Sequence, residues 1–353
     1  MIAADQVIRH AELGGRDVAW SAVGSGPPLV LGGWWSSHLE LDWQDAAFRH
    51  FVGLLAQHRT VVRYDRPGTG LSDRAVAPAN SAAEELDTLR LLLELVPGPV
   101  ALLGASSGCV VAAAYAAEHP ERVEHLVLYG SYAAGRDIAA PAARETLLGV
   151  VERHWGLGSK VLADIFLPGG SAADRAAFAE FQRRSASREV ALASLRAVYS
   201  FDATDVLPRL TVPTLVVHRR SDTAIPFALG MDVASRIPGA AFVALEGDEH
   251  FPWRGDTEEL AHVILRFLGA PVPEFRPLSE SAGARSDATI GTLSQRELEV
   301  LRLIAAGSTD REIAEALVLS THTVHRHVAN VRSKLGVPSR AAAAAWAADR
   351  GLI

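Results

Sequence analysis

Val100-Ala101-Leu102-Leu103-Gly104-Ala105-Ser106-Ser107-Gly108-Cys109-Val110-Val111 decides the fold. An apolar run of strand character ends at a Gly-Ala-Ser-Ser-Gly pentapeptide, and an alanine- and valine-rich helical stretch begins at once. The pentapeptide is therefore a sharp strand-to-helix turn. Such a turn crowds neighbouring backbone, where glycine fits and a Cβ would clash, and it lifts its middle residue above the strand ends. Ser106 is the candidate nucleophile. Standing alone, the pentapeptide reads equally well as a turn without chemistry.

Working outward, short apolar runs alternate with longer helical ones up to about residue 270, the order of an α/β fold with a mostly parallel sheet. Strands are expected at Pro28 to Leu31, Thr60 to Tyr64, Val100 to Leu103, Val123 to Tyr129, Thr214 to His218 and Ala241 to Leu245. An antiparallel lead-in is expected from Gln6 to Val23, turning at Gly14-Gly15. Helices fit Asp42 to Gln57, Ala82 to Leu95, Ser107 to Glu118, Pro226 to Arg236 and Asp256 to Phe267. Tyr132 to Arg209 breaks the alternation with helices alone, which predicts a helical cap over about residues 131–209.

Serine is a weak nucleophile without a base to take its proton, and the base needs an acid to orient it. Asp222 follows the next-to-last strand and His250 follows the last, so the chain order is serine, acid, histidine with each group at a strand end. Ser106, Asp222 and His250 form the expected triad; Asp248 is the less favoured acid, too close to His250 in sequence. An oxyanion would need two backbone N–H donors, expected from Ser107 and from Trp34 in Leu31-Gly32-Gly33-Trp34-Trp35, with a slip of one residue left open. Trp35, Phe251 and Trp253 flank that point as candidate pocket walls; core packing is the competing reading for at least half of these aromatics.

The chain has 353 residues, enough for two domains, with 49 % hydrophobic and 21 % charged residues, so it can bury sizeable cores. Disordered and collagenous classes are excluded. Charged residues interrupt the N-terminus and no apolar stretch approaches the roughly 20 residues that span a bilayer, so a soluble, cytoplasmic protein without membrane contact is expected. Cys109, the single cysteine, rules out an internal disulfide and a cysteine zinc cluster; it reads as a small buried apolar residue, and neither metal nor cofactor is expected. Leu293 to Ile353 carries a net charge of +2 against −9 for the rest, which hints at two partners of different kinds.

The stretches that carry a resemblance are Ser37-His38-Leu39-Glu40-Leu41-Asp42-Trp43, Tyr64-Asp65-Arg66-Pro67-Gly68-Thr69-Gly70-Leu71-Ser72-Asp73, the Ser106 turn, His119-Pro120-Glu121-Arg122-Val123 and Val212-Pro213-Thr214-Leu215. Through them residues 28 to 269 resemble the α/β-hydrolase superfamily, particularly hydrolase-like modules fused to signalling domains in bacteria. Ala105 and Gly32 stand where that family often has histidine.

Pro271 to Gly291 is a linker by composition. Beyond it, Thr309-Asp310-Arg311-Glu312 and Ser294-Gln295-Arg296-Glu297 are capping boxes, and Leu298, Leu301, Ile304 and Ala305, then Ile313, Ala314 and Leu317, then Val324, Val328, Val331 and Leu335 make three apolar stripes. Three short helices with a tight turn at Val318-Leu319-Ser320 make a helix-turn-helix unit. The third helix leaves His322, His325, Arg326 and Ala329 free for a major groove, while Thr321, Thr323, His327, Asn330 and Lys334 are placed to meet phosphates. A bundle that merely dimerises is the other reading of the helix pattern.

Leu293-Ser294-Gln295-Arg296-Glu297, Glu312-Ile313-Ala314, Ser320-Thr321-His322-Thr323-Val324, His327 and Lys334-Leu335-Gly336-Val337-Pro338-Ser339-Arg340 are similar, in register, to the DNA-binding domain of LuxR-type transcriptional regulators. The resemblance implies double-stranded DNA as a partner and binding as a homodimer. Asp310 replaces a common asparagine and histidines replace common lysines, which implies modest or pH-dependent affinity. Trp346, on an alanine-rich final helix from Arg340 to Asp349, either joins the dimer contact or closes the small core.

The expected organisation is thus a hydrolase-like body over 1–270, a linker over 271–291 and a DNA reader over 292–353. Three functions fit: a regulator that senses a small, apolar, carbonyl-containing ligand, a serine esterase or lactonase that also binds DNA, and a scaffold with a vestigial pocket. The complete triad disfavours the third.

Overall fold

The computed structural model describes residues 6–33, 35–74, 81–272, 293, 295–305, 308–317, 319, 321–335, 343, 346 and 347. The chain divides into two compact units, Met1–Pro273 and Glu274–Ile353.

The first unit is built on one eight-stranded sheet: β1 (Val7–Leu13), β2 (Arg16–Val23), β3 (Pro28–Leu31), β4 (Thr60–Tyr64), β5 (Val100–Ala105), β6 (Val123–Tyr129), β7 (Thr214–Arg219) and β8 (Ala241–Leu245). Their spatial order is β1-β2-β4-β3-β5-β6-β7-β8. The first two strands pair antiparallel across the Gly14-Gly15 turn, β2 pairs antiparallel with β4, and every later pairing is parallel. β5 is buried along its whole length, as expected of a central parallel strand covered on both faces.

The expected strands all form, two of them extended by one or two residues at the end that carries chemistry: β5 runs to Ala105 and β7 to Arg219. One expectation needs correction. The helix anticipated from Asp42 to Gln57 is two helices, α1 (Leu39–Gln44) and α2 (Ala46–Ala56). Asp45 separates them because its carboxylate accepts the Ala47 N–H at 2.9 Å, a side-chain cap that ends one helix and starts the next. On the sheet faces lie α3 (Ala82–Glu94) and α4 (Gly108–Glu118).

Between β6 and β7 the chain makes only helices of any length: α5 (Pro141–Arg153), α6 (Trp155–Phe166), α7 (Ala172–Ser185) and α8 (Arg188–Ser200). They pack on their own apolar cluster, in which Val151, Leu162 and Leu195 meet Trp35 from the body. The body is completed by α9 (Phe227–Arg236) and α10 (Thr257–Phe267). No helix among the described residues is long and apolar enough to cross a membrane.

A buried polar layer underlies the cap. Arg66 donates to Glu85 at 2.7 Å and to Ser194 of α8 at 3.0 Å, with Arg66 and Glu85 both almost fully enclosed. Nearby, Arg63 donates to Asp42 at 3.2 Å. Burial pushes the Asp42 carboxyl up to about 7 against the pull of Arg63.

The second unit contains α11 (Gln295–Ala305), α12 (Asp310–Leu317) and α13 (Thr321–Leu335). Val300, Ile304, Ile313, Ala314, Val324 and Val328 form one small core, and Leu293, Leu301, Val331, Ala343 and Ala347 a second. The box at Thr309 forms as expected: the Glu312 carboxylate accepts the Thr309 N–H at 2.6 Å, and the Thr309 hydroxyl accepts the Glu312 N–H at 3.3 Å. Ser294, most of the linker, the Val318 and Ser320 positions of the tight turn and most of Arg340 to Asp349 lie outside the described residues. Trp346 is half-buried against the second of these cores.

Candidate active site and DNA-binding helix

Ser106 is the one non-glycine residue with positive φ among the described residues, at +53°. This left-handed conformation costs an L-residue roughly 1–2 kcal/mol, and the turn holds it by construction. Ser106 N–H donates to Tyr129 O at 2.9 Å on β6, and Ser106 O accepts from Cys109 N at 3.0 Å in α4. The flanking glycines permit the approach. A Cβ on Gly104 would lie 2.8 Å from Cys109 Cα, and one on Gly108 would lie 2.6 Å from Gly33 O.

Asp222 sits just past β7, with Oδ1 accepting the N–H groups of Ala224 at 2.9 Å and Ile225 at 3.0 Å. Its Oδ2 lies 2.8 Å from His250 Nδ1, both side chains being buried. Burial alone would raise the Asp222 carboxyl, but His250 and the hydrogen bonds outweigh it and hold the group below its ordinary value. A carboxylate accepts, so Nδ1 carries the proton and Nε2 is left as the basic nitrogen.

Ser106 and His250 line one small cavity of about 20 Å³, together with Trp35, Phe166, Phe251 and Trp253. Ser106 and Trp35 also line a much larger cavity of about 620 Å³ beneath α5, α6 and α8. The structure thus brings together Ser106, Asp222, His250, Trp35, Phe251 and Trp253. Phe251 and Trp253 are also core residues, stacked with centroids 4.8 Å apart. Ser107 is fully buried at the start of α4; Trp34 lies outside the described residues. The Asp248 carboxylate faces Gly169 of the cap.

Three contributors escape a reading of the sequence. Phe166, the last residue of α6, stacks on the His250 ring with centroids 5.5 Å apart. His218 Nε2 donates to Ile225 O at 2.9 Å and lies 3.7 Å from Asp222 Oδ2; burial lowers its affinity for a proton, so it sits neutral beside the acid. Arg219, almost fully enclosed, donates to Tyr129 Oη at 2.9 Å, Glu246 O at 2.9 Å and Arg254 O at 2.7 Å, fixing both ends of the loop that carries His250. The His218-Arg219 pair ends a strand four and three residues before Asp222, which is the one local signal; Phe166 offers none.

Cys109 donates to Gly104 O at 3.2 Å, and burial pushes its thiol well above the ordinary value, in keeping with a packing role. No cluster of three metal-ligating side chains occurs among the described residues.

On α13, Val324 and Val331 are buried while Asn330 and Lys334 are exposed, and Thr323 and His327 are intermediate. Lys334 Nζ donates to Glu297 of α11 at 2.7 Å. The lysine expected to meet phosphate is therefore also a partner of an almost fully buried carboxylate. Thr321, His322, His325, Arg326 and Ala329 belong to the helix, and their side chains lie outside the described residues.

A parallel sheet whose central strand ends in a left-handed serine beneath a helical cap defines the class of hydrolase-fold proteins. Residues 29–263 match the family described as "Alpha/beta hydrolase family", and the chain belongs to it. Residues 291–347 match "Bacterial regulatory proteins, luxR family". The chain is 26 % identical over 265 residues to the pimeloyl-[acyl-carrier protein] methyl ester esterase of Vibrio vulnificus, covering 72 % of this chain and 98 % of that protein. It is 45 % identical over 62 residues to the transcriptional regulatory protein LiaR of Bacillus subtilis, covering 18 % of this chain and 29 % of that one. The fold superposes on a bromoperoxidase from Bacillus anthracis with TM-score 0.66 at 22 % identity, over 74 % of this chain and 100 % of that one. A hydrolase-fold body and a LuxR-type DNA-binding helix-turn-helix thus share one chain.

Proposed function

We propose that this chain is a DNA-binding transcriptional regulator whose hydrolase-like body senses a small, apolar ligand bearing a carbonyl. The observation that carries the reading is the position of Ser106: in a strained turn, on the wall of an apolar cavity of about 620 Å³, in a chain that also holds a LuxR-type helix-turn-helix. A cavity of that size suits a small organic molecule. The ligand's carbonyl carbon lies at Ser106 and its oxygen faces the backbone N–H groups of Ser107 and Trp34. Occupancy favours one arrangement of body (1–270), linker (271–291) and reader (292–353), and so sets how a homodimer presents two copies of α13 to duplex DNA. The reading needs neither metal nor cofactor and places the chain in the cytoplasm.

A serine esterase or lactonase that also binds DNA is the second reading. What favours it is the His250–Asp222 hydrogen bond, which leaves the tautomer a general base requires. Both readings are tested together. Pre-steady-state kinetics with a chromogenic ester, in the wild type and in Ser106→Ala, report acylation; mobility of an operator fragment with and without candidate carbonyl compounds reports sensing. A Ser106-dependent burst with sustained turnover supports the enzyme. Absence of a burst with compound-dependent DNA binding supports the sensor, and absence of both sinks the two readings.

A further inference from the structure

We infer that the ligand is strongly asymmetric about its carbonyl: its bulk is an apolar acyl arm, and its alkoxy arm is no larger than methoxy. The inference rests on the second reading above, in which Ser106 and His250 act as one reactive centre.

Ser106 stands at the junction of two spaces of very different size, about 620 Å³ on one side and about 20 Å³ on the other. The smaller space compares with the roughly 10–15 Å³ that a single water molecule needs, so it holds one small group. Trp35 and Phe166 are walls of both. Phe251 and Trp253, 8 % and 6 % exposed and stacked on each other, line the small side.

Chemistry decides which arm enters which space. His250 lines the small cavity and is absent from the walls of the large one. In acyl transfer the Ser106 hydroxyl oxygen forms a bond to the carbonyl carbon and gives its proton to His250 Nε2. His250 returns that proton to the alkoxy oxygen as the carbon–alkoxy bond breaks and the alcohol leaves. Water then cleaves the acyl ester, releasing the acid and restoring Ser106. The alkoxy oxygen must therefore lie beside His250, on the side with room for one carbon.

The acyl arm is left with the large cavity. Its walls include Ile138, Leu147, Val150, Val161, Leu162 and Val198. Of the threonines there, Thr146 donates its hydroxyl to Ala142 O at 2.7 Å and Thr223 donates its own to Ile165 O at 3.0 Å. With those protons spent inside the protein, the two threonines make no polar demand on a hydrocarbon arm.

Three isomeric esters separate the possibilities, because their apolar area is nearly equal and only the carbonyl moves: methyl nonanoate, pentyl pentanoate and octyl acetate. The full-length wild type should hydrolyse methyl nonanoate with kcat/KM on the order of 100-fold above the other two. Thermal shift of full-length Ser106→Ala should respond to methyl nonanoate and much less to pentyl pentanoate, whose two long arms cannot both be housed. In Phe166→Leu, which joins the two spaces, the preference should fall towards parity. Equal or reversed preference in turnover or in thermal shift overturns the inference and leaves the reactive centre standing. No turnover and no shift with any of the three overturns both.

Discussion

His250 Nδ1 stands 2.8 Å from Asp222 Oδ2, while Asp222 Oδ1 is held by two backbone N–H groups of its own loop. The carboxylate cannot rotate without breaking those bonds, so it fixes the imidazole ring and its tautomer. Asp222→Asn keeps the shape but offers an N–H donor in place of an acceptor. We expect ester acylation at Ser106 to fall by about 10³-fold or more in this variant, with little change in the affinity of Ser106→Ala-type ligand binding. Stopped-flow acylation rates check it; a loss under tenfold would show that Asp222 does not orient the base.

The same carboxyl makes a prediction about acid. Its affinity for protons is lowered on folding, so its stabilising contribution is present above the ordinary carboxylate value and is lost as pH falls through the folded value. Wild-type stability should therefore drop below about pH 4, and Asp222→Asn should lack that portion of the drop. Denaturant titrations at pH 3 to 6, followed by tryptophan fluorescence, give the comparison.

Ser106 at φ +53° is a backbone strain that glycine does not feel. Ser106→Ala keeps the strain and Ser106→Gly removes it, so the glycine variant should be the more stable of the two by about 1 kcal/mol, although glycine elsewhere usually costs stability. Equality of the two midpoints in guanidinium would argue that the turn is relaxed in solution.

Much of this site is legible in the sequence, for reasons that differ by residue. Ser106 is visible because two glycines and a strand-to-helix change of period surround it, and Asp222 and His250 because each follows a β-type run. The break at Asp45 hides because a capping aspartate inside an apolar periodic stretch looks like one more polar position; its effect depends on reaching the Ala47 N–H. Phe166 and Arg219 hide for a deeper reason. Phe166 meets His250 from α6, 84 positions earlier in the chain, and Arg219 holds the His250 loop through backbone carbonyls, which have no sequence identity. The cap was legible as helices but not as a cavity wall, because spacing within a helix does not say which neighbour its stripe will meet.

Asp42 gives a pH effect of opposite sign. Burial raises its carboxyl to about 7, so between the ordinary value and 7 the folded chain binds a proton that the unfolded chain has released. Stability from this group falls as pH rises across that window and is level above it. Asp42→Asn, neutral throughout, should flatten the slope between pH 5 and 7 relative to wild type. An unchanged slope in denaturant midpoints would mean that Asp42 is ionised against Arg63 at pH 5.

On the DNA reader, Lys334 and Glu297 make separable predictions with Arg326. Lys334 joins α13 to α11 through a carboxylate whose side chain is only 5 % exposed, so replacing it removes a partner from a nearly buried charge. Lys334→Met should lower the melting midpoint of the reader, and Lys334→Arg should restore most of it, because a hydrogen bond to a charged group contributes roughly 1.5–3 kcal/mol. Both variants should weaken cognate and random duplexes alike, Lys334→Met the more strongly. Arg326→Ala should instead leave the melting midpoint unchanged and cost about 1–3 kcal/mol on the cognate site alone, as expected of a side chain that reads guanine edges. Fluorescence anisotropy on cognate and scrambled duplexes at two salt concentrations, beside calorimetric melting of each variant, separates the two roles. Equal losses on both duplexes for Arg326→Ala would show that α13 meets phosphates rather than bases.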